Sequence, residues 1–329
     1  MNRFQKYLLD EFVEDFQEKR ISRREALKLI ASITGSLVLA NSILAACAPL
    51  DEETSTGQPV LSSPTATPQT AVDIATPAPV EPSPTASLPT GPAHGTVSVD
   101  DAMVNAGAVE FPGQDADLLG YLSRPVSSQP APVILVCHEN RGLTGHIQDV
   151  TRRLAKAGYV ALAVDLLSRQ GGFAALNSSD IPGLLSAISP ELFVQDFLSG
   201  WRWLGGENYA LTERVGMMGF CFGGGVTWSV ATQMAELKAA IPFYGPYPEL
   251  SQVPNIQAAV LAIYGERDAR INQGIPEIEE AMQQNNKIYA KIIYPDSDHA
   301  FFNDTGSRYN PIAAQDAWAQ VLAWFEQYV

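Results

Sequence analysis

The chain has 329 residues, 46% hydrophobic and 17% charged, and 21 Lys+Arg against 36 Asp+Glu leave a formal net charge of −15. An acidic field repels polyphosphates, which excludes a general nucleic-acid binder, and the apolar content is too high for a wholly disordered chain. Three cysteines, Cys47, Cys137 and Cys221, are too few to staple a chain long enough to bury a core of its own.

Met1–Arg20 is charged and mixed, compatible with a short helix. Ser22-Arg23-Arg24-Glu25-Ala26-Leu27-Lys28 then precedes an uncharged stretch, Leu29–Ala46. Positive charge followed by an apolar run is the layout of a secretory signal. The Ser-Arg-Arg-x-x-Leu-Lys order resembles a twin-arginine signal, with Ala26 where that pattern prefers Phe. Leu44-Ala45-Ala46-Cys47 resembles a bacterial lipobox, whose cysteine is lipidated after cleavage. A run of this length would also just span a bilayer uncleaved. Against that, Gly35, Ser36, Asn41 and Ser42 keep it only mildly hydrophobic, and a terminal Cys has no role in a plain anchor. Residues 1–47 are therefore expected to be an export signal, with the mature protein outside the cytoplasm and held to the cell membrane by lipid on Cys47.

From 48 to 95 the chain is dominated by Pro, Thr, Ser and Ala, as in Pro64-Thr65-Ala66-Thr67-Pro68. Repeated prolines remove backbone donors and favour extended backbone, so this segment is expected to be a linker holding a domain off the membrane.

Residues 96–329 alternate short apolar runs with helical patterns. Ala106–Phe111 and Leu118–Leu122 suit an antiparallel entry pair. Val133–Cys137, Tyr159–Val164, Val215–Gly219, Ala239–Tyr244, Ala258–Tyr264 and Ile288–Tyr294 suit strands, mostly buried on both faces. Between and after them Ile147–Ala157, Pro190–Leu204, Gly223–Ala235, Pro276–Gln284 and Pro311–Tyr328 have helical spacing. Strand–helix alternation predicts an α/β domain, a mostly parallel central sheet with helices on both faces. No dinucleotide fingerprint and no internal repeat is present.

The sharpest local signal is Gly219-Phe220-Cys221-Phe222-Gly223, of the form G-x-nucleophile-x-G, between a predicted strand and a predicted helix. A turn that tight leaves no room for side chains two places either side of the nucleophile, and the helix dipole that follows favours a thiolate. A nucleophile needs a base, and the base an orienting acid. After Cys221 one strand leads into Gly265-Glu266-Arg267-Asp268 and the next into Ser297-Asp298-His299. His299 is the one histidine C-terminal to Cys221. The order nucleophile, Asp268, His299 is that of α/β-hydrolases, with Glu266 and Asp298 as weaker choices for the acid. His138 and Glu139 lack the second histidine of a zinc motif and His146 stands in a polar loop, so no metal is expected. Cys137, inside an apolar strand, is expected to be a core thiol rather than a disulfide partner of Cys221. Phe173, Tyr244, Tyr247 and Phe302 suit either a pocket wall or the core.

His138-Glu139-Asn140-Arg141-Gly142, Asp165-Leu166-Leu167-Ser168-Arg169, Gly219–Gly223, Asp268 and His299-Ala300-Phe301 together resemble the dienelactone hydrolase family of the α/β-hydrolase superfamily. The resemblance covers about residues 105–329, with the elbow Cys as its specific mark. It implies hydrolysis of small esters or lactones, carboxymethylenebutenolide in the type activity, without a cofactor. It makes Cys221 the nucleophile, His299 the base, Asp268 its partner, and Glu139 the acid that takes the thiol proton as substrate arrives. It further implies an oxyanion hole from the backbone N–H groups of Phe222 and Asn140. Arg169 matches an arginine that binds the substrate carboxylate. A second such arginine is expected four residues after the histidine, where this chain has Asn303, leaving Arg141 or Arg270 to compensate. A larger or uncharged ester, or a thioester, is thus an open alternative, as is a catalytically silent binding lipoprotein. The expected partners are a small-molecule substrate and, through the lipid, a membrane; the expected state is a monomer.

Overall fold

The structure, a computed structural model, describes residues 1–47 and 96–329; the linker expected at 48–95 lies outside the described residues. Three helices open the chain: α1 (Arg3–Gln17), α2 (Arg23–Thr34) and α3 (Leu37–Ala46). The uncharged stretch does not form one helix. Gly35, at φ 68°, ends α2 in the left-handed conformation, and the Ser36 side chain caps α3 by accepting from the Leu39 amide at 3.2 Å. Among the described residues no helix is long and apolar enough to cross a membrane.

Apolar residues recur three and four apart along α1, and that stripe is buried against the rest of the molecule. Phe4, Leu8 and Phe12 are fully buried, each contributing roughly 1.5–3 kcal/mol before ordering costs. Asn2 and Gln5 close a reciprocal cap at the helix start.

The remaining chain builds an eight-stranded sheet. Strands β1 (Val104–Pro112) and β2 (Asp117–Pro125) form the antiparallel entry hairpin. Then follow β3 (Ala131–Cys137), α4 (Gly145–Lys156), β4 (Val160–Val164), the short α5 (Ile181–Ala187) and α6 (Pro190–Leu204). The second half runs β5 (Ala210–Phe220), α7 (Phe222–Ala231), β6 (Ala239–Phe243), β7 (Ala259–Gly265), α8 (Ala269–Asn272), α9 (Ile275–Gln284), β8 (Tyr289–Tyr294) and α10 (Pro311–Tyr328). The spatial order is β1-β2-β4-β3-β5-β6-β7-β8, antiparallel from β1 to β4 and parallel beyond. The expected α/β architecture is therefore present. The expected strands and helices recur with ends shifted by a few residues; β5 begins five residues earlier and α7 ends four earlier than expected, and α5 had no clear periodic signal.

Every residue of β4, β6 and β7 is buried, as continuous apolar strands between two helix layers must be. Parallel strands then bring the loops after β3, β5, β7 and β8 to one edge of the sheet, the edge where open α/β folds carry their ligands. The tightest packing there is between β5, α7 and β3. A Cβ on Gly219 would lie 2.3 Å from the Gly223 carbonyl oxygen, and one on Gly223 would lie 2.4 Å from that of His138. Neither neighbour is a side-chain tip that can turn away. Gly223→Ala is expected to cost about 1–3 kcal/mol or more in urea unfolding, whereas Gly107→Ala, whose Cβ meets nothing within 4 Å, should stay within about 0.5 kcal/mol of wild type.

Candidate active site

Cys221 is the residue between β5 and α7, with φ 60° and ψ −120°, a strained conformation for a residue with a side chain. Its amide donates to the Phe243 carbonyl at 3.0 Å, and its own carbonyl accepts from Gly224 at 3.0 Å, so both flanking peptides are pinned. The side chain is thereby presented at the start of α7, whose first amide, that of Phe222, is one of the donors a helix leaves unpaired.

Asp268 follows β7 and His299 follows β8, both buried. Imidazole Nδ1 donates to Asp268 Oδ2 at 2.5 Å, and the other carboxylate oxygen accepts from the Ile271 amide. With Nδ1 so held, Nε2 is turned to the thiol side. Burial disfavours a charged imidazole, but the Asp268 carboxylate outweighs it and pushes the His299 pKa up to about 10. Asp268 is correspondingly low despite its burial, held down by His299 and then Arg270. Burial, then the carboxylate of Glu11, push the Cys221 thiol above its ordinary range, with His299 pulling the other way.

Glu11 was not among the residues the sequence singled out. It belongs to α1, which lies across the mouth of the site. The Tyr7 hydroxyl sits 3.1 Å from Cys221 Sγ and 3.4 Å from His299 Nε2, and the Glu11 carboxylate oxygens accept from the thiol at 3.6 and 3.7 Å. Cys221 is left only 2% exposed. Arg270 pairs with Glu14 at 2.9 Å and stacks over the Tyr7 ring, while Arg308 reaches Asp15 at 3.6 Å. Tyr7 and Glu11 lie in the charged and mixed stretch Met1–Arg20, which carries no motif of a catalytic site. Arg308, nine places after His299, matched no expected spacing. Glu11, Cys221 and His299 are, among the described residues, the one group of His, Cys and acidic side chains whose donor atoms lie within 4.8 Å of one another, as a metal ion would need.

The other expected residues are distributed as follows. Glu139 is buried after β3 and accepts from Asn303 Nδ2 at 2.8 Å, so the residue standing in the arginine position holds this carboxylate. Asn140 is buried beside it, and Arg141 is exposed. Arg169 donates to Asp196 at 2.8 and 2.9 Å and to Asp115 at 2.6 and 2.9 Å, so its charge is matched by two carboxylates. His138 is structural: its Nδ1 donates to the Glu139 carbonyl and its Nε2 accepts from the Leu166 amide. His146 bonds Asp304 at 2.9 Å; burial opposes ionisation of Asp304, yet His146 and Arg153 hold its carboxyl down at about 2. Cys137 is a buried free thiol in β3, not joined to Cys221. Tyr244 packs its ring 5.0 Å from the His299 ring, Phe302 stacks on Phe220 in the core, and Tyr247 bonds Glu277 at the surface. Phe173 is half-buried against Gly142.

A mostly parallel sheet with a strained cysteine elbow after β5, an acid after β7 and a histidine after β8 defines an α/β-hydrolase. The sequence model of the dienelactone hydrolase family matches residues 118–329, and the chain belongs to that family. A relative from Methylorubrum extorquens is 34% identical over 253 residues, covering 72% of this chain and 86% of its own. One from Escherichia coli K12 is 34% identical over 247 residues, covering 70% and 89%; both carry the name "Putative carboxymethylenebutenolidase". A solved structure from Klebsiella pneumoniae, described as a putative dienelactone hydrolase, superposes with a TM-score of 0.64 at 32% identity, over 68% of this chain and 99% of that one. The chain is a carboxylic ester hydrolase.

A histidine whose pKa rises on folding lends stability while protonated. That contribution is complete below its unfolded value near ~6.5 and is lost as pH climbs to about 10. Asp268→Asn should therefore melt about 4 °C or more below wild type near neutral pH, with the gap narrowing towards alkaline pH. A gap independent of pH would mean that Asp268 does not hold the His299 proton.

Proposed function

We propose that the enzyme opens small esters or lactones, of the kind named for its relatives, through a thioester on Cys221. What carries the reading is the convergence of Cys221, His299 and Asp268 at one sheet edge, with Nδ1 of the histidine fixed by the acid. In this reading His299, in its neutral form with Nδ1–H on Asp268, takes the thiol proton at Nε2 and the sulfur attacks the acyl carbon. The developing oxyanion meets the amides of Phe222 and Asn140, donors held in place by the backbone before the charge forms. His299 returns the proton to the departing alkoxide. Water then cleaves the thioester by the same exchange in reverse, leaving the acid and a free thiol. Glu139 accepts from Asn303 at Oε2, and taking up the thiol proton would fall to its other oxygen.

A neutral or larger ester is the second reading. The engagement of Arg169 with Asp115 and Asp196, and the amide at position 303, favour it over a substrate recognised by its carboxylate. Rates on a panel pairing neutral esters with carboxylate-bearing lactones separate the two. Export and lipid anchoring are proposed on the sequence order alone, in which charge, apolar run and Cys47 follow one another. Mass spectrometry of the mature N-terminus checks this: lipidated Cys47 is the expected first residue, and an intact Met1 rejects it. For the chemistry, Cys221→Ala should lower turnover of p-nitrophenyl acetate by about 10³-fold or more; unchanged hydrolysis rejects the nucleophile.

A further inference from the structure

Helix α1 lies outside residues 118–329, which the family model matches. The helix nonetheless covers the sulfur, with Tyr7 and Glu11 against it. Three features make it an occupant of the cleft rather than a wall. The first is shape: the Phe4 ring packs between Phe193 and Phe222 at 5.4 and 5.0 Å, and Arg3 anchors the helix start on the Tyr247 carbonyl and the Ser229 hydroxyl. The second is charge: Glu14 and Asp15 meet Arg270 and Arg308 at the rim, and Glu11 faces the thiol between them. The third is incomplete satisfaction. The Tyr244 hydroxyl and Arg270 Nη2 are buried without a hydrogen-bond partner among the described residues. Unpaired buried donors are costly, so a ligand carrying acceptors for them competes well against the helix.

We propose that residues 3–17 are a tethered ligand of the catalytic cleft, seated over Cys221, His299, Arg270 and Arg308, and that the helix must leave before an ester reaches the sulfur. The inference rests on Cys221 being the nucleophile. Cys47 and residues 48–95 join α1 to the domain, so any cut in that stretch frees the helix from its tether. Cleavage before Cys47, should export proceed as proposed above, would convert a covered precursor into an open enzyme.

The test uses the full chain and follows alkylation of the Cys221 peptide by iodoacetamide, by mass spectrometry, beside p-nitrophenyl acetate turnover. Phe4→Asp with Leu8→Asp removes the apolar seat, and labelling should accelerate about tenfold or more, since access scales with the open fraction. Turnover should rise with it. Val38→Asp, on an exposed face of α3, should change neither. Equal labelling rates in wild type and the double variant overturn the proposal. Faster labelling without turnover keeps the occupant and overturns the nucleophile instead. Should the double variant fail to fold, the wild-type chain decides. Once N-ethylmaleimide occupies Cys221, amides of residues 3–17 should lose hydrogen-exchange protection while those of β5 and β7 keep theirs; a helix still protected on the alkylated chain overturns the proposal.

Discussion

The left-handed backbone of Cys221 is the constraint around which the rest of the molecule is arranged. A side chain at φ 60° is unfavourable, and it persists here because the surroundings leave no alternative. Its two peptides are hydrogen-bonded to β6 and to α7, and the glycines on either side are each within 2.4 Å of a carbonyl if given a Cβ. Strand, turn and helix cannot separate without breaking the parallel pairing of β3, β5 and β6. The fold thus holds the sulfur at the sheet edge with the rigidity of its core. Asp268 and His299 reach the same place for a similar reason, each lying within five residues of the end of a further parallel strand.

Around that fixed sulfur the electrostatics are set by which carboxylate is nearest. Asp268 keeps a proton on His299, which favours a thiolate; Glu11, supplied by α1, disfavours one, and burial adds to it. The described conformation is therefore a covered thiol whose ionisation burial and Glu11 both oppose. Such a thiol is a poor nucleophile and also a poor target for oxidants, because thiolate is the reactive form in both cases.

The sequence was most legible where a local rule acts. The glycines of 219-GFCFG-223 announce the elbow because a tight turn admits nothing larger, and the strands either side announce themselves by unbroken apolar runs. The order of Cys221, Asp268 and His299 follows from strand order, so their meeting was readable before any coordinates. Less was readable where partners are distant in the chain. Arg169 carries the motif of a substrate arginine, yet Asp115 and Asp196, from a hairpin turn and a helix, engage it, and neither pairing has a sequence signature. Arg308 is brought in by the loop ahead of α10, at a spacing no pattern encodes. The amphipathic stripe of α1 was present in the letters, but a stripe says only that something will cover it. Leu29–Ala46 shows the converse limit: Gly35 and Ser36 were noted as polar dilution, and they are in fact the stop of one helix and the cap of the next.

The surface of this protein is acidic, so an anion approaching from solvent gains nothing from the global field. The cleft reverses that sign locally through Arg270 and Arg308, and α1 cancels the reversal with Glu11, Glu14 and Asp15. Departure of the helix changes access and charge in a single event. The sulfur is uncovered, the nearest carboxylate leaves it, and two guanidinium groups lose their acidic partners beside it. Each change lowers the cost of forming a thiolate, since water and cations both favour the charged form. Covering and discharging the thiol are thus one function of one amphipathic face, in which the apolar residues supply the seat and the acidic residues the switch.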